Sequence, residues 1–321
     1  MSFIKIIINN HMKKFLHKNI LIAGRTGSGK SNFLHNFIVD LLEENSPVEV
    51  RLVLIEPKRI EFAQYNGISH LLAEVIYDSD KARSALKWTW GESLRRLKII
   101  EEADSTSIYK YNKIKYKKNK LPEIYIIIDE FSDLMAADSK FLEEYFEKIT
   151  ALSKMTGVYL LVASAKVIPV VFTKRINSCF VDRICFKTFD ENDSLLLLGE
   201  KGAEKLSNPG SCLVKNLVEF KIKNKQMPCI SDEEIAEKIK VIKNKYKDFK
   251  FSEAPDEEDP DKLYEKAKGI VIESGKASVS LLQRKLRIGY SRAARLIDML
   301  EENGIVGPAK GIEPREVLIK K

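Results

Sequence analysis

Cysteine, histidine and tryptophan are scarce in this 321-residue chain, which has four, four and two of them. Cys179, Cys185, Cys212 and Cys229 form no C-x-x-C pair and no spacing with histidine that suits zinc, so buried, reduced thiols and a reducing compartment are expected. His11, His17, His35 and His70 are scattered and read as ordinary surface or core residues. Long apolar runs are missing too. None approaches the ~20 residues a membrane-spanning helix needs, and Met1 to Lys18 alternates apolar with basic residues without a cleavage site. The expectation is a chain with no membrane anchor and no export signal. A strong charge of one sign is also absent, since 54 basic and 46 acidic residues leave +8. That excess permits a nucleic-acid partner without demanding one, and its distribution matters more than its total.

What the chain does have is Gly24-Arg25-Thr26-Gly27-Ser28-Gly29-Lys30-Ser31, a complete G-x-x-x-x-G-K-[ST] pattern. It follows the apolar run Asn19 to Ala23 and precedes an amphipathic pattern of Phe33, Leu34, Phe37, Ile38, Leu41 and Leu42. Glycines let the backbone wrap a polyphosphate without Cβ clashes, and consecutive N–H groups ending at a helix N-terminus point at the anion. The pattern therefore predicts a nucleoside triphosphate site, in which Lys30 reaches the β- and γ-phosphates and Ser31 ligates magnesium. A glycine-rich turn that matches by chance would lack the strand before and the helix after.

About a hundred residues on, Ile124-Tyr125-Ile126-Ile127-Ile128-Asp129-Glu130 reads as a buried parallel strand ending in two acids. Asp129 suits the magnesium shell and Glu130 the polarisation of an attacking water, which favours hydrolysis over binding alone. Without the phosphate loop upstream, the same pair would read as a solvated turn.

Apolar runs alternate with helical patterns through Ile222, the mark of an α/β domain with a doubly wound, parallel-rich sheet. Strands are expected at Phe3–Ile8, Ile20–Ala23, Val50–Ile55, Ile124–Ile128, Val158–Ser164, Phe180–Phe186, Gly210–Val214 and Glu219–Ile222. Helices are expected at Ile60–Tyr65, Ser79–Glu101, Ser139–Met155 and Asp232–Lys247. The basic run Lys110 to Lys120 reads as a solvated loop or as a face toward DNA. Three regions follow: residues 1–250 as the ATPase domain, the acidic, proline-bearing 251–260 as a linker, and 261–321 as a small winged helix of three helical patterns and a Gly/Pro-punctuated hairpin. Arg284, Lys285, Arg287, Arg292 and Arg295 crowd its second helix and the start of its third. Arginine there can bond guanine at two points, so base readout is available; a protein-binding winged helix or a merely solvated basic face are the alternatives.

Gly27-Ser28-Gly29-Lys30-Ser31, Ile55-Glu56-Pro57-Lys58, Tyr65 to Leu72, Asp129 to Met135 and above all Arg287 to Asp298 carry a family resemblance. Over roughly residues 17–320 the chain resembles the motor and C-terminal γ domains of the FtsK/SpoIIIE double-stranded DNA translocases. The resemblance implies a RecA-like P-loop ATPase that uses ATP and Mg2+, a homo-hexameric ring around duplex DNA, and a γ domain reading short sequences that set direction. It assigns Lys30, Ser31, Asp129 and Glu130 to the ATP site, and Arg287, Arg292 and Arg295 to DNA reading, with Arg284 and Ser291 beside them. Arg183 falls near the family's subunit boundary and is a candidate arginine finger in trans, although an ordinary strand-edge arginine reads as well.

Some residues depart from the family. Ala163-Ser164-Ala165-Lys166-Val167 stands where Ala-Thr-Gln-Arg-Pro is usual, so the amide that would sense the γ-phosphate is missing at Ala165. Glu56 replaces the usual Asp, and Ser291 a common asparagine, which removes a possible two-point contact with adenine. Membrane segments and a full α domain are lacking, which fits a piece of a longer protein or a short soluble member; a cytoplasmic setting is expected, with any membrane association through a preceding region or a partner. The leading expectation is a motor that pumps duplex DNA in chromosome partition at cell division or sporulation. A conjugative or mobile-element pump, and a non-processive DNA-binding loader or activator of a tyrosine recombinase, are the other readings.

Overall fold

The computed structural model describes residues 12, 15–115, 120–207, 209–216, 221–249, 260–286, 290–307 and 315–318. The expected strand Phe3–Ile8, nearly all of the linker, His11 and Arg287 lie outside them. The chain divides into two compact units, Met1–Lys250 and Phe251–Lys321.

In the first unit, β1 (Ile20–Ala23), β2 (Val50–Ile55), β3 (Glu123–Ile128), β4 (Val158–Ser164) and β5 (Asp182–Phe186) form the parallel part of a sheet. β6 (Ser211–Lys215) and β7 (Lys223–Gln226) continue it antiparallel, giving the order β2-β3-β4-β1-β5-β6-β7. β1, β2 and β4 are buried along their whole length, which is why they read as unbroken apolar runs. One face packs on α1 (Lys30–Glu44) and α7 (Asp232–Lys245), through Phe33, Phe37, Leu41, Ile235 and Ile239. The other packs on α2 (Ser79–Glu102), α4 (Phe131–Thr156), α5 (Lys174–Cys179) and α6 (Glu191–Leu198), through Leu86, Phe131, Phe146, Ile176 and Leu197. A short helix, α3 (Ile108–Ile114), precedes β3.

Several expectations are corrected. Ile60–Tyr65 is no helix beyond a single 3-10 turn at Ala63–Tyr65, and the Glu56 carboxylate gathers the N–H groups of Ile60, Glu61 and Phe62 ahead of it. The helix expected from Ser139 is the second half of α4, which begins at Phe131 and breaks at Asp138, whose carboxylate caps the restart by accepting from Phe141 N. Of the strand expected at Glu219–Ile222, residues 219 and 220 lie outside the described residues and Lys221 and Ile222 are not in a strand; the last described strand is Lys223–Gln226, an exposed edge of polar residues that hydrophobicity does not mark. Part of the basic run is the helix α3, with Ile108 and Tyr111 buried. Only Cys185 and Cys212 are buried; Cys179 is half-buried and Cys229 exposed. Among the described residues no helix is long and apolar enough to cross a membrane.

The second unit holds α8 (Pro260–Ser274), α9 (Val279–Leu286) and α10 (Tyr290–Glu302) around Ala267, Val271, Leu282, Ile297 and Leu300. Antiparallel bridges join Ala277 to Arg315 and Val306 to Val317, so three helices and a paired edge make a winged helix.

Candidate nucleotide site

The site forms where the carboxyl ends of β1, β3 and β4 come together, and β4 stands between the other two. In an open α/β sheet this is the edge at which ligands bind. After β1 the chain turns through Gly24 (φ 147°), Gly27 (φ 76°) and Gly29 (φ 112°) into α1. Side chains do not fit at two of these points. A Cβ on Gly24 would lie 2.7 Å from Phe186 Cβ, and one on Gly29 would lie 2.8 Å from Gly210 N. Gly29 caps α1 without a side-chain hydrogen bond, and the first turn has no acidic residue, so its N–H groups and positive dipole end await an anion. Ser28 Oγ is buried there without a hydrogen-bond partner among the described residues.

Lys30 is buried, and its Nζ donates to Gly24 O (2.7 Å) and Arg25 O (3.1 Å). Burial lowers its pKa, while the charges of Glu130 and Asp129 oppose that shift. An ammonium tied to two loop carbonyls at the head of a glycine turn is placed to exchange them for phosphate oxygens.

Asp129 continues the sheet, donating N–H to Ile55 O at 2.9 Å. Burial, then the charges of Glu56 and Glu130, push its pKa up to about 6 against the pull of Lys30. Among the described residues no group of three or more His, Cys, Asp or Glu side chains suits a metal on its own. Ser31, whose side chain hydrogen-bonds Glu61 here, and Asp129 are the residues that could serve magnesium, which usually takes one or two protein oxygens and the rest from phosphates and water.

Glu130 is buried and sits in the left-handed region (φ 59°, ψ 57°) at the start of α4, a conformation that costs a non-glycine residue about 1 kcal/mol or more. Its Oε1 accepts from Ser132 Oγ (2.5 Å), Ser164 Oγ (2.8 Å) and Ala165 N (3.1 Å), and its Oε2 pairs with Lys58 Nζ (3.1 Å). Burial alone would raise its pKa, but these hydrogen bonds outweigh burial and hold it below the usual carboxylate range, so the group stays ionised. Although Ala165 lacks an amide side chain, its backbone N–H and the Ser164 hydroxyl still tie the end of β4 to Glu130.

Arg183 is placed against its expected use. Its Nε donates to Phe180 O (2.9 Å), Nη1 to Leu197 O (2.5 Å) and Nη2 to Asn177 O (2.7 Å). All three nitrogens are committed within the chain, so the guanidinium fastens α5 and α6 to β5 instead of projecting as a finger. In the second unit, Arg284 is exposed on α9; Ser291, Arg292 and Arg295 fall on α10, and Arg287 lies outside the described residues. Lys58 has no role legible in the sequence alone; its signal is its place three residues past the end of β2.

Residues 1–169 match the FtsK/SpoIIIE family and residues 258–320 the Ftsk gamma domain. The chain is 39% identical over 311 residues to a DNA translocase FtsK from Caldanaerobacter subterraneus subsp. tengcongensis, covering 94% of this chain and 44% of that protein. It is 38% identical over 317 residues to one from Clostridium acetobutylicum, covering 94% of this chain and 41% of the relative. The chain thus spans less than half the length of these relatives. Among solved structures it is similar to the pCW3 conjugation coupling protein TcpA, a monomer with ATPγS, at 28% identity and a TM-score of 0.62, covering 71% of this chain and 65% of that one. The cytoplasmic domain of the Thermomonospora curvata type VII secretion ATPase EccC shares the fold, at 24% identity and a TM-score of 0.61 over 70% of this chain and 28% of that one.

Proposed function

The chain belongs to the FtsK/SpoIIIE family, and from that premise we propose that it is an ATP-driven motor that moves double-stranded DNA. The observation that carries the reading is the meeting of Lys30, Asp129 and an ionised, strained Glu130 at one sheet edge, beside a buried Ser28 hydroxyl that has no partner among the described residues. Lys30 and the loop N–H groups hold the polyphosphate. Ser31 and Asp129 would hold magnesium, which when bound would neutralise phosphate charge, and Glu130 orients water toward the γ-phosphate.

The motor works as a homo-hexameric ring around duplex DNA in chromosome partition, and the winged helix reads sequence through Arg284, Arg287, Ser291, Arg292 and Arg295 to set direction. A tyrosine recombinase is a further partner under the same reading. Grip on the phosphate backbone then weakens with salt. The likeness to a conjugation coupling protein favours one second reading, a pump for mobile-element DNA with the same chemistry.

Steady-state ATP hydrolysis with and without long duplex DNA, with Lys30→Ala as the blank, tests the proposal. Strong stimulation by duplex that vanishes in Lys30→Ala supports a motor. Slow hydrolysis indifferent to DNA refutes it and favours a DNA-binding loader.

A further inference from the structure

The turn after β2 is built more firmly than a connecting loop requires. Glu56 is 1% exposed, and its carboxylate accepts N–H bonds from Ile60 (2.7 Å), Glu61 (2.6 Å) and Phe62 (2.8 Å). Its own N–H donates to Ile76 O at 2.8 Å. Pro57 fixes the backbone at the first step of the turn, and Arg59 takes a left-handed conformation (φ 57°) at the third. A turn wound this tightly around one carboxylate presents Lys58 in a set direction. Its Nζ lies 3.1 Å from Glu130 Oε2 while the side chain remains 44% exposed, so the ammonium reaches the site from the solvent side. Lys58 is also near enough to Lys30 for the two charges to oppose each other. Two cations thus converge beside the carboxylate proposed to orient water, next to Ala165, which has no polar side chain to meet a γ-phosphate.

We propose that Lys58 is a second cation of the nucleotide site: it pairs with Glu130 until a nucleoside triphosphate binds, then carries its ammonium to the γ-phosphate and leaves Glu130 free to orient water. The proposal rests on the ATP-motor reading of this edge. A lysine suits the exchange because its ammonium is a point charge on a flexible stem and moves between acceptors without the planar match a guanidinium needs. The γ-phosphate carries more negative charge than one carboxylate, so the exchange is favourable. A diphosphate has no γ-phosphate, and with it the pair to Glu130 persists.

Equilibrium binding of ATPγS and of ADP to the full chain, at one fixed magnesium concentration, tests this directly. Lys58→Ala should weaken ATPγS by at least about tenfold, the worth of one hydrogen bond to a charged group, and leave ADP within about twofold. Lys58→Arg should restore most of the loss, and the thermal midpoint of both variants should match the parent's. Equal weakening of both nucleotides would mean that Lys58 only shapes the turn, and no weakening of either that it stays with Glu130; each overturns the proposal. Lys30→Ala is the separate control: if it still binds both nucleotides as the parent does, the nucleotide-site reading itself fails.

Discussion

Two ends of the same strands bury charge in opposite ways. Before β3 and β4, Arg96 is 1% exposed and donates to Glu92 Oε1 (2.8 Å), Pro122 O (2.6 Å) and Thr156 O (3.0 Å). Beyond the far ends of those strands, Glu130 is 4% exposed and accepts from two hydroxyls, one N–H and one half-exposed lysine. Arg96 sits on regular helix, and two of its partners are main-chain carbonyls that cannot leave. Glu130 sits on strained backbone, and most of its partners are side chains that can turn away. Equal burial therefore has two meanings: the arginine clamps a fold, and the glutamate waits in a site.

Exchanging the two charges for neutral groups separates those meanings most sharply. Glu130→Gln should cut ATP hydrolysis by about 10²–10⁴-fold and leave the unfolding midpoint nearly unchanged, as steady-state rates and thermal melts would record. Arg96→Ala should do the reverse, costing roughly 3–5 kcal/mol in denaturant unfolding because two main-chain carbonyls lose this donor and Glu92 is left with Arg95 alone, while hydrolysis per folded molecule stays at the parent's level. Equal effects on both readouts would dissolve the comparison.

His70 refines it. The residue is fully buried near the start of β2; its Nε2 bonds Asn45 O at 2.9 Å, and its Nδ1 has no partner among the described residues. Burial lowers its pKa to about 4. Between that value and the ordinary 6.5 the unfolded chain binds a proton that the folded chain refuses, so stability is full above about pH 6.5 and falls as pH falls toward 4. The loss should reach roughly 3 kcal/mol at the acid end, and His70→Asn should flatten that part of the stability profile. The smallest change is Ser164→Ala, which removes one of the hydrogen bonds on Glu130. It should slow hydrolysis about fivefold without moving nucleotide affinity, and a full loss of activity would mean that the hydroxyl does more than hold the carboxylate.

The phosphate loop and the Asp129-Glu130 strand were legible because their chemistry is local: glycines at fixed steps, an apolar run ending in acids. The main strands were legible because full burial leaves unbroken apolar segments. What the sequence hid depends on partners far along the chain. Ile60–Tyr65 has helical spacing, but it folds as a turn wound around the Glu56 carboxylate and ends in one 3-10 turn. Arg183 looks available on its strand, and only the folded arrangement brings Asn177, Phe180 and Leu197 carbonyls to its three nitrogens. Lys58 and Glu130 are 72 residues apart, so no spacing rule could pair them. β7 hides for a different reason, being a polar edge that buries nothing.

The insertion of β4 between β1 and β3 also sets a length. Neighbouring strands lie about 4.8 Å apart, so the phosphate loop and the acidic pair stand two spacings, or roughly 10 Å, from one another. The sheet is in effect a caliper with one fixed spacer between its jaws. What suits both jaws is a ligand whose negative charge meets the phosphate loop and Lys30 on one side and, through a cation, Asp129 on the other.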